Sequence, residues 1–237
     1  MRPSLDTTDV DITRAARIAQ FADSMFPTGS FSFSNGLESA VSEGVVTDAA
    51  TLREFVLTAG RQAATCDGVA LLTAHRSATA GDFVGVLAAD HAVFSRKLNE
   101  EARTMSTRMG KKLAELGVRL GGGVVLGKWL TAIVAADTPG TYPVGVGIAF
   151  ADMNSPEQDA FVAHQYGVAM TILGAALRTL RVDHVDTQQI LYEVNGNTAG
   201  LYAEIAERTL DDMSTFAPMA DILAAVHVRS HVRMFMN

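Results

Sequence analysis

A second cysteine is absent: Cys66 stands alone among 237 residues, so no internal disulfide is available and the fold must rest on a packed core. A basic block is absent too. With 19 lysines and arginines against 26 aspartates and glutamates, the net charge is -7, and nothing in the chain forms a stripe able to neutralise phosphates. Nucleic acid and an anionic membrane surface are therefore excluded as expected partners. The most apolar stretch, Gly121 to Ala136, is short, glycine-rich and interrupted by Lys128, so no transmembrane helix is expected. The opening MRPSLDTTDVDITRAAR lacks the apolar core of a secretory signal; with the lone thiol, this predicts a cytoplasmic protein.

Catalytic signatures are equally scarce. Gly122-Gly-Val-Val-Leu-Gly127-Lys128 has the spacing of a phosphate-binding loop, but Trp129 stands where magnesium needs a hydroxyl, so a helix start is expected there. The six histidines are scattered without the paired helical pattern of a zinc site, and no Gly-x-Ser-x-Gly elbow exposes a serine. Asp183-His184-Val185-Asp186 offers metal-type ligands but reads better as a helix cap. The expectation is a non-enzyme with no cofactor, no catalytic residue and no resident metal. Were a hidden helical active site present, Asp23, Glu38, Asp90 and His91 would be the first suspects.

What is present is helical periodicity. A hydrophobic share of 48% is enough for one large helical domain over residues 1–237, all-α, a single compact bundle of about ten helices. Residues 1–10 are expected to be flexible, and a helix from Ile12 to Met25 is halted by Pro27. The run FPTGSFSFSNGLE breaks the pattern and reads as an ordered loop, followed by a helix over Leu37 to Glu43 that Ser34 or Asn35 caps and Gly44 ends. Thr47 or Asp48 caps the next. Leu98, Ala102, Met105, Met109, Leu113 and Leu116 step by three and four, predicting a core face, and a long helix is expected from Glu157 to about Leu180. Asn195-Gly196-Asn197 predicts a break between two shorter helices, and a polar tail, residues 226–237, follows.

Residues 20 to 46, QFADSMFPTGSFSFSNGLESAVSEGVV, resemble the signature of the urease accessory protein F family, with Asp23, Ser24, Pro27, Gly29, Phe31, Ser34, Gly36, Leu37 and Glu38 at the matching positions. Further matches follow in order: Glu101, Arg103, Ser106, Gly110 and Lys111, then Tyr142-Pro-Val-Gly-Val-Gly147, then Ala176-Leu-Arg178 and Gln189-Ile-Leu191. His227, Arg233 and Phe235 have the spacing of the family's His-x5-Arg-x-Phe ending, although Met234, Met236 and Asn237 depart from it, as does Thr179 after Arg178. The resemblance implies an all-helical chaperone that tends to homodimerise. It implies an adaptor joining the accessory protein called D or H to the GTPase called G, so that nickel is inserted into apo-urease. On that reading the loop carrying Pro27, Gly29, Phe31, Ser34, Gly36 and Glu38, together with the tail residues His227, Arg233 and Phe235, grips the D-type partner. The face near Arg178 meets the GTPase. A tail with so little apolar surface is expected to become ordered only on binding.

Overall fold

A computed structural model describes residues 7–215, 217, 222, 234 and 235. Among these residues there are ten α-helices and no strand, which meets the all-α expectation. Helix α1 (Thr7–Ala22) stops before Pro27 because Asp23 turns the backbone: its carboxylate accepts the Met25 N–H at 2.8 Å and its carbonyl the Phe26 N–H at 2.9 Å. The short α2 (Leu37–Ser42) runs to Gly44, whose φ of +70° suits the turn. Asp48 and Thr51 then form a reciprocal capping box on α3 (Ala49–Ala63).

A π-helical turn, Ala64–Gly68, joins α3 to α4 (Val69–Thr79) without breaking the rod. Next come α5 (Phe83–Arg96), α6 (Glu100–Arg119) and α7 (Val124–Val134). The last three are α8 (Tyr142–Asp152), α9 (Glu157–Thr179) and α10 (His184–Ile205). Two expectations needed correction. Asn195-Gly196-Asn197 does not break the chain: α10 runs straight through, because Ile190, Leu191, Val194 and Ile205 bury one face and Asn197 bonds back to the Glu193 carbonyl. Tertiary packing outweighs the roughly 1 kcal/mol that a mid-helix glycine costs. The stripe from Leu98 to Leu116 is a core face only in its second half. Met109 and Leu113 are buried, whereas Leu98 is 62% exposed, lying on the turn before Asn99 caps α6.

The helices enclose two apolar clusters. One gathers around α4, α5 and α8 with Trp129 and Phe161; the other joins α2, α3, α9 and α10. At 23 residues, about 34 Å, α9 serves both, giving Phe161 and Ala163 to the first and Ile172, Leu173 and Ala176 to the second. It is long and apolar enough to cross a membrane, yet over half of its most apolar window is buried inside the fold. Arg76 ties three helices together, donating to both carboxylate oxygens of Glu157 (2.6 and 2.7 Å) and to the Ala206 carbonyl, while the Tyr202 hydroxyl donates to Glu157 at 2.7 Å.

The entry to α8 depends on one buried carboxylate. Asp90 is fully buried and accepts five hydrogen bonds, from Trp129 Nε1, the hydroxyls of Thr138 and Thr141, and the backbone N–H groups of Gly140 and Thr141. This is the framework role of a suspected active-site residue, since every oxygen lone pair it can offer already faces a donor.

Candidate functional site

The loop between α1 and α2 is built before it is used. Phe26 is buried and stacks on Phe21 with centroids 4.7 Å apart; Pro27 is exposed, and Gly29 adopts φ +90°, which a side chain rarely tolerates. A single 3-10 turn, Ser30–Ser32, leaves Phe31 73% exposed and sinks Phe33 and Ser34 into the body. The N-cap of α2 is Gly36, φ +81°, rather than the expected Ser34 or Asn35; Ser34, two residues earlier, accepts the N–H of Glu38 through Oγ at 3.3 Å.

Three of the expected partner-binding residues meet on that loop. The Arg178 guanidinium lies between two rings, 4.1 Å from the centroid of Phe31 and 4.0 Å from that of Phe235, and Nη2 donates to the Phe31 carbonyl at 3.1 Å. Partial burial lowers the pKa of Arg178, which remains cationic at any ordinary pH. Glu38 completes the arrangement: its two carboxylate oxygens accept the consecutive backbone N–H groups of Met234 (2.7 Å) and Phe235 (3.0 Å). Phe235 is only 4% exposed and belongs to the second apolar cluster. The sequence reading placed the loop and tail on one face and Arg178 on another. In the structure a single guanidinium joins them. Met234 and Phe235 rest against the chain's own body, which supplies the ring pocket and the carboxylate. His227 and Arg233 lie outside the described residues.

A groove of about 490 Å³ opens beside this clamp, bounded by the loop, α6 and α9. Met105, Met109 and Val168 form part of its apolar wall, and this is where the upper half of the α6 stripe faces. Its polar lining includes three residues that sequence spacing did not single out, Asp67, Lys97 and His164. Lys97 Nζ donates to Asp67 at 2.5 Å, and His164 Nε2 lies 3.9 Å from the other oxygen of Asp67, too far for a hydrogen bond. His164 Nδ1 has no partner among the described residues. The three come from a π-helical turn, a helix end and a helix middle far apart in the chain, so no local motif could announce them.

Burial pushes the His164 pKa down to about 4; Asp67 works against that shift and Lys97 adds to it. The folded state thus prefers the neutral ring. A depressed histidine contributes stability that is complete above the unfolded value near 6.5 and is lost as pH falls toward about 4. Between pH 7 and pH 5, His164 should cost the fold about 2 kcal/mol. Urea unfolding of wild type and His164→Gln at both pH values tests this: the wild-type midpoint should fall more than the variant's, and parallel shifts would remove the assignment.

The other candidates have local structural roles. Gly123 precedes α7, and the Asp152 carboxylate accepts the Leu126 N–H at 2.9 Å, filling the helix start where a phosphate would sit. Asp183 and Asp186 form the capping box of α10. His75 bonds the Ser155 carbonyl and His91 the Asp137 carbonyl, and Cys66 is buried. Among the described residues no group of three His, Cys, Asp or Glu side chains is placed to hold a metal ion.

The UreF family model matches residues 46–195. The chain is 57% identical over 220 residues to urease accessory protein UreF 2 of Brucella canis, covering 93% of this chain and 90% of that protein. It is 51% identical over 222 residues to urease accessory protein UreF of Yersinia enterocolitica, covering 93% and 97%. These relatives are named as accessory proteins rather than enzymes. A family match over more than half the chain, together with likeness at this level along nearly all of it, means that the chain belongs to the UreF family of urease accessory proteins.

Proposed function

We propose that this protein is a cytoplasmic adaptor of urease maturation that joins the D/H-type accessory protein and the G-type GTPase, so that nickel is inserted into apo-urease in a GTP-dependent step. It acts as a homodimer and hydrolyses nothing itself. The observation that supports the reading best is the clamp of Phe31, Arg178 and Phe235, which brings the family-like loop and the family-like ending into one surface. Phe31 is the natural contact residue there, because it is an aromatic ring 73% exposed on the family-like loop, and aromatic anchors are frequent among residues that carry binding energy.

The test is size-exclusion chromatography with light scattering of the chain alone, with the D/H-type protein, and with the GTPase, GTP and nickel added. A stoichiometric complex should form with the D/H-type protein, and Phe31→Ala should weaken it about tenfold or more while leaving the unfolding midpoint near wild type. No complex under any of these conditions would refute the adaptor reading.

A further inference from the structure

Charge in this chain is unevenly shared. Residues 102–136 hold six lysines and arginines and one acid, Glu115, whereas the remaining residues hold 13 basic side chains against 25 acidic ones. The basic groups are spread over α6 and α7, so they meet only through the fold. The two helices cross closely at Gly117, where an added Cβ would lie 2.5 Å from Leu126 Cδ2, and only Leu120 to Gly123 separate them in the chain. Lys111, Arg119 and Lys128 are all exposed and make no ion pair among the described residues; nearby, Lys112 pairs with Glu115 at 3.5 Å. Between the charges the same face is apolar. Helix α7 has one charged residue, turns Leu126, Trp129 and Ala132 inward, and leaves Val124 74% and Val134 70% exposed, with Leu120 exposed on the turn before it.

We propose that this α6–α7 face, with Lys111, Arg119 and Lys128 around Leu120, Val124 and Val134, docks a second protein that has an acidic rim and an apolar centre. Exposed aliphatic side chains ringed by unpaired cations have the make-up of an interface core and its rim. Two copies of this chain joined face to face about a twofold axis would set these cations against their own kind, so the occupant is a different protein. Within the adaptor reading, on which this assignment rests, that protein is apo-urease. The loop, the chain end and Arg178 share the surface given above to the other partners, and Met105, which lines the groove beside it, lies about 21 Å along α6 from Arg119. The client can therefore bind without displacing them.

Two double variants on exposed positions test the face. Arg119→Glu with Lys128→Glu reverses its charge, and Val124→Ser with Val134→Ser removes its aliphatic groups. Apo-urease is titrated into the full chain assembled with the D/H-type protein and the GTPase, at about 50 and about 200 mM salt. Charge reversal should weaken apo-urease binding about tenfold or more and the serine variant about threefold or more, and the wild-type affinity should fall with salt more steeply than that of the charge-reversed chain. Assembly with the other two proteins and the unfolding midpoint should stay near wild type. Unchanged apo-urease affinity in either variant would overturn the face. A wild-type assembly that leaves apo-urease unbound, or variants that instead lose the D/H-type protein or the GTPase, would overturn its assignment to the client. Phosphatidylglycerol vesicles or duplex DNA bound by the wild type and released by charge reversal would mark a general anion surface and sink the proposal. A wild-type chain that assembles with none of the three proteins would bring down the adaptor reading and this proposal together.

Discussion

Asp90→Ala should destabilise the protein by about 4 kcal/mol or more, enough to bring many domains to the edge of folding. The site is fully buried, so removing the carboxylate strands Trp129 Nε1, two hydroxyls and two backbone N–H groups where water does not reach. Asp90→Asn keeps the volume but turns one acceptor into a donor aimed at other donors, so a loss of about 3 kcal/mol is expected, with the chain still folded. His91→Ala, one residue away on the exposed side, should change stability by less than about 0.5 kcal/mol. Urea denaturation followed by circular dichroism distinguishes these. If Asp90→Ala costs as little as His91→Ala, the carboxylate is not what holds the turn into α8.

The same turn makes Gly110→Ala the second large effect. A Cβ at Gly110 would lie 2.1 Å from the Gly140 carbonyl oxygen, 2.6 Å from the Thr141 carbonyl carbon and 2.8 Å from the Tyr142 nitrogen. All three atoms are backbone, and the Gly140–Thr141 part is held by Asp90, so nothing can rotate aside. Alanine is the better helix former by about 1 kcal/mol, but the forced separation of α6 from α8 should outweigh that and leave a net loss of about 3 kcal/mol. Gly196→Ala is the contrasting case. Nothing lies within 4 Å of its added methyl, and it should stabilise α10 by about 0.5 to 1 kcal/mol. Thermal melts of the two variants should therefore move in opposite directions; melts that fall together would mean that helix propensity and close approach have been misjudged. Because Gly110 and Asp90 act on one turn, their effects should not add in the double variant.

The pattern of these residues explains what could be read in advance. Caps are local, so Asp48 and Asp183 stand three or fewer positions from the amides they serve, and a linear reading finds them. Strong periodicity is local as well, and α9 appears close to its expected limits. The break expected at Gly196 failed because a glycine's cost is small beside the packing of Ile190 and Val194, which the local sequence does not display. Leu98 failed for the reverse reason: it continues a stripe by spacing but lies on a turn outside the helix.

By itself the amino-acid sequence determined the all-α class, the starts of α2, α3 and α9, the absence of an internal disulfide, and the loop and ending that carry the family likeness. Only the tertiary structure decided that Arg178 stands between Phe31 and Phe235, that Glu38 captures the chain end, that Asp90 is framework rather than chemistry, and that Asp67, Lys97 and His164 meet beside a groove. The physical reason is range. Capping and periodicity act over a few residues and leave a mark at fixed spacing, whereas these contacts join groups from about 30 to nearly 200 residues apart, brought together only when the apolar faces of the helices close on one another.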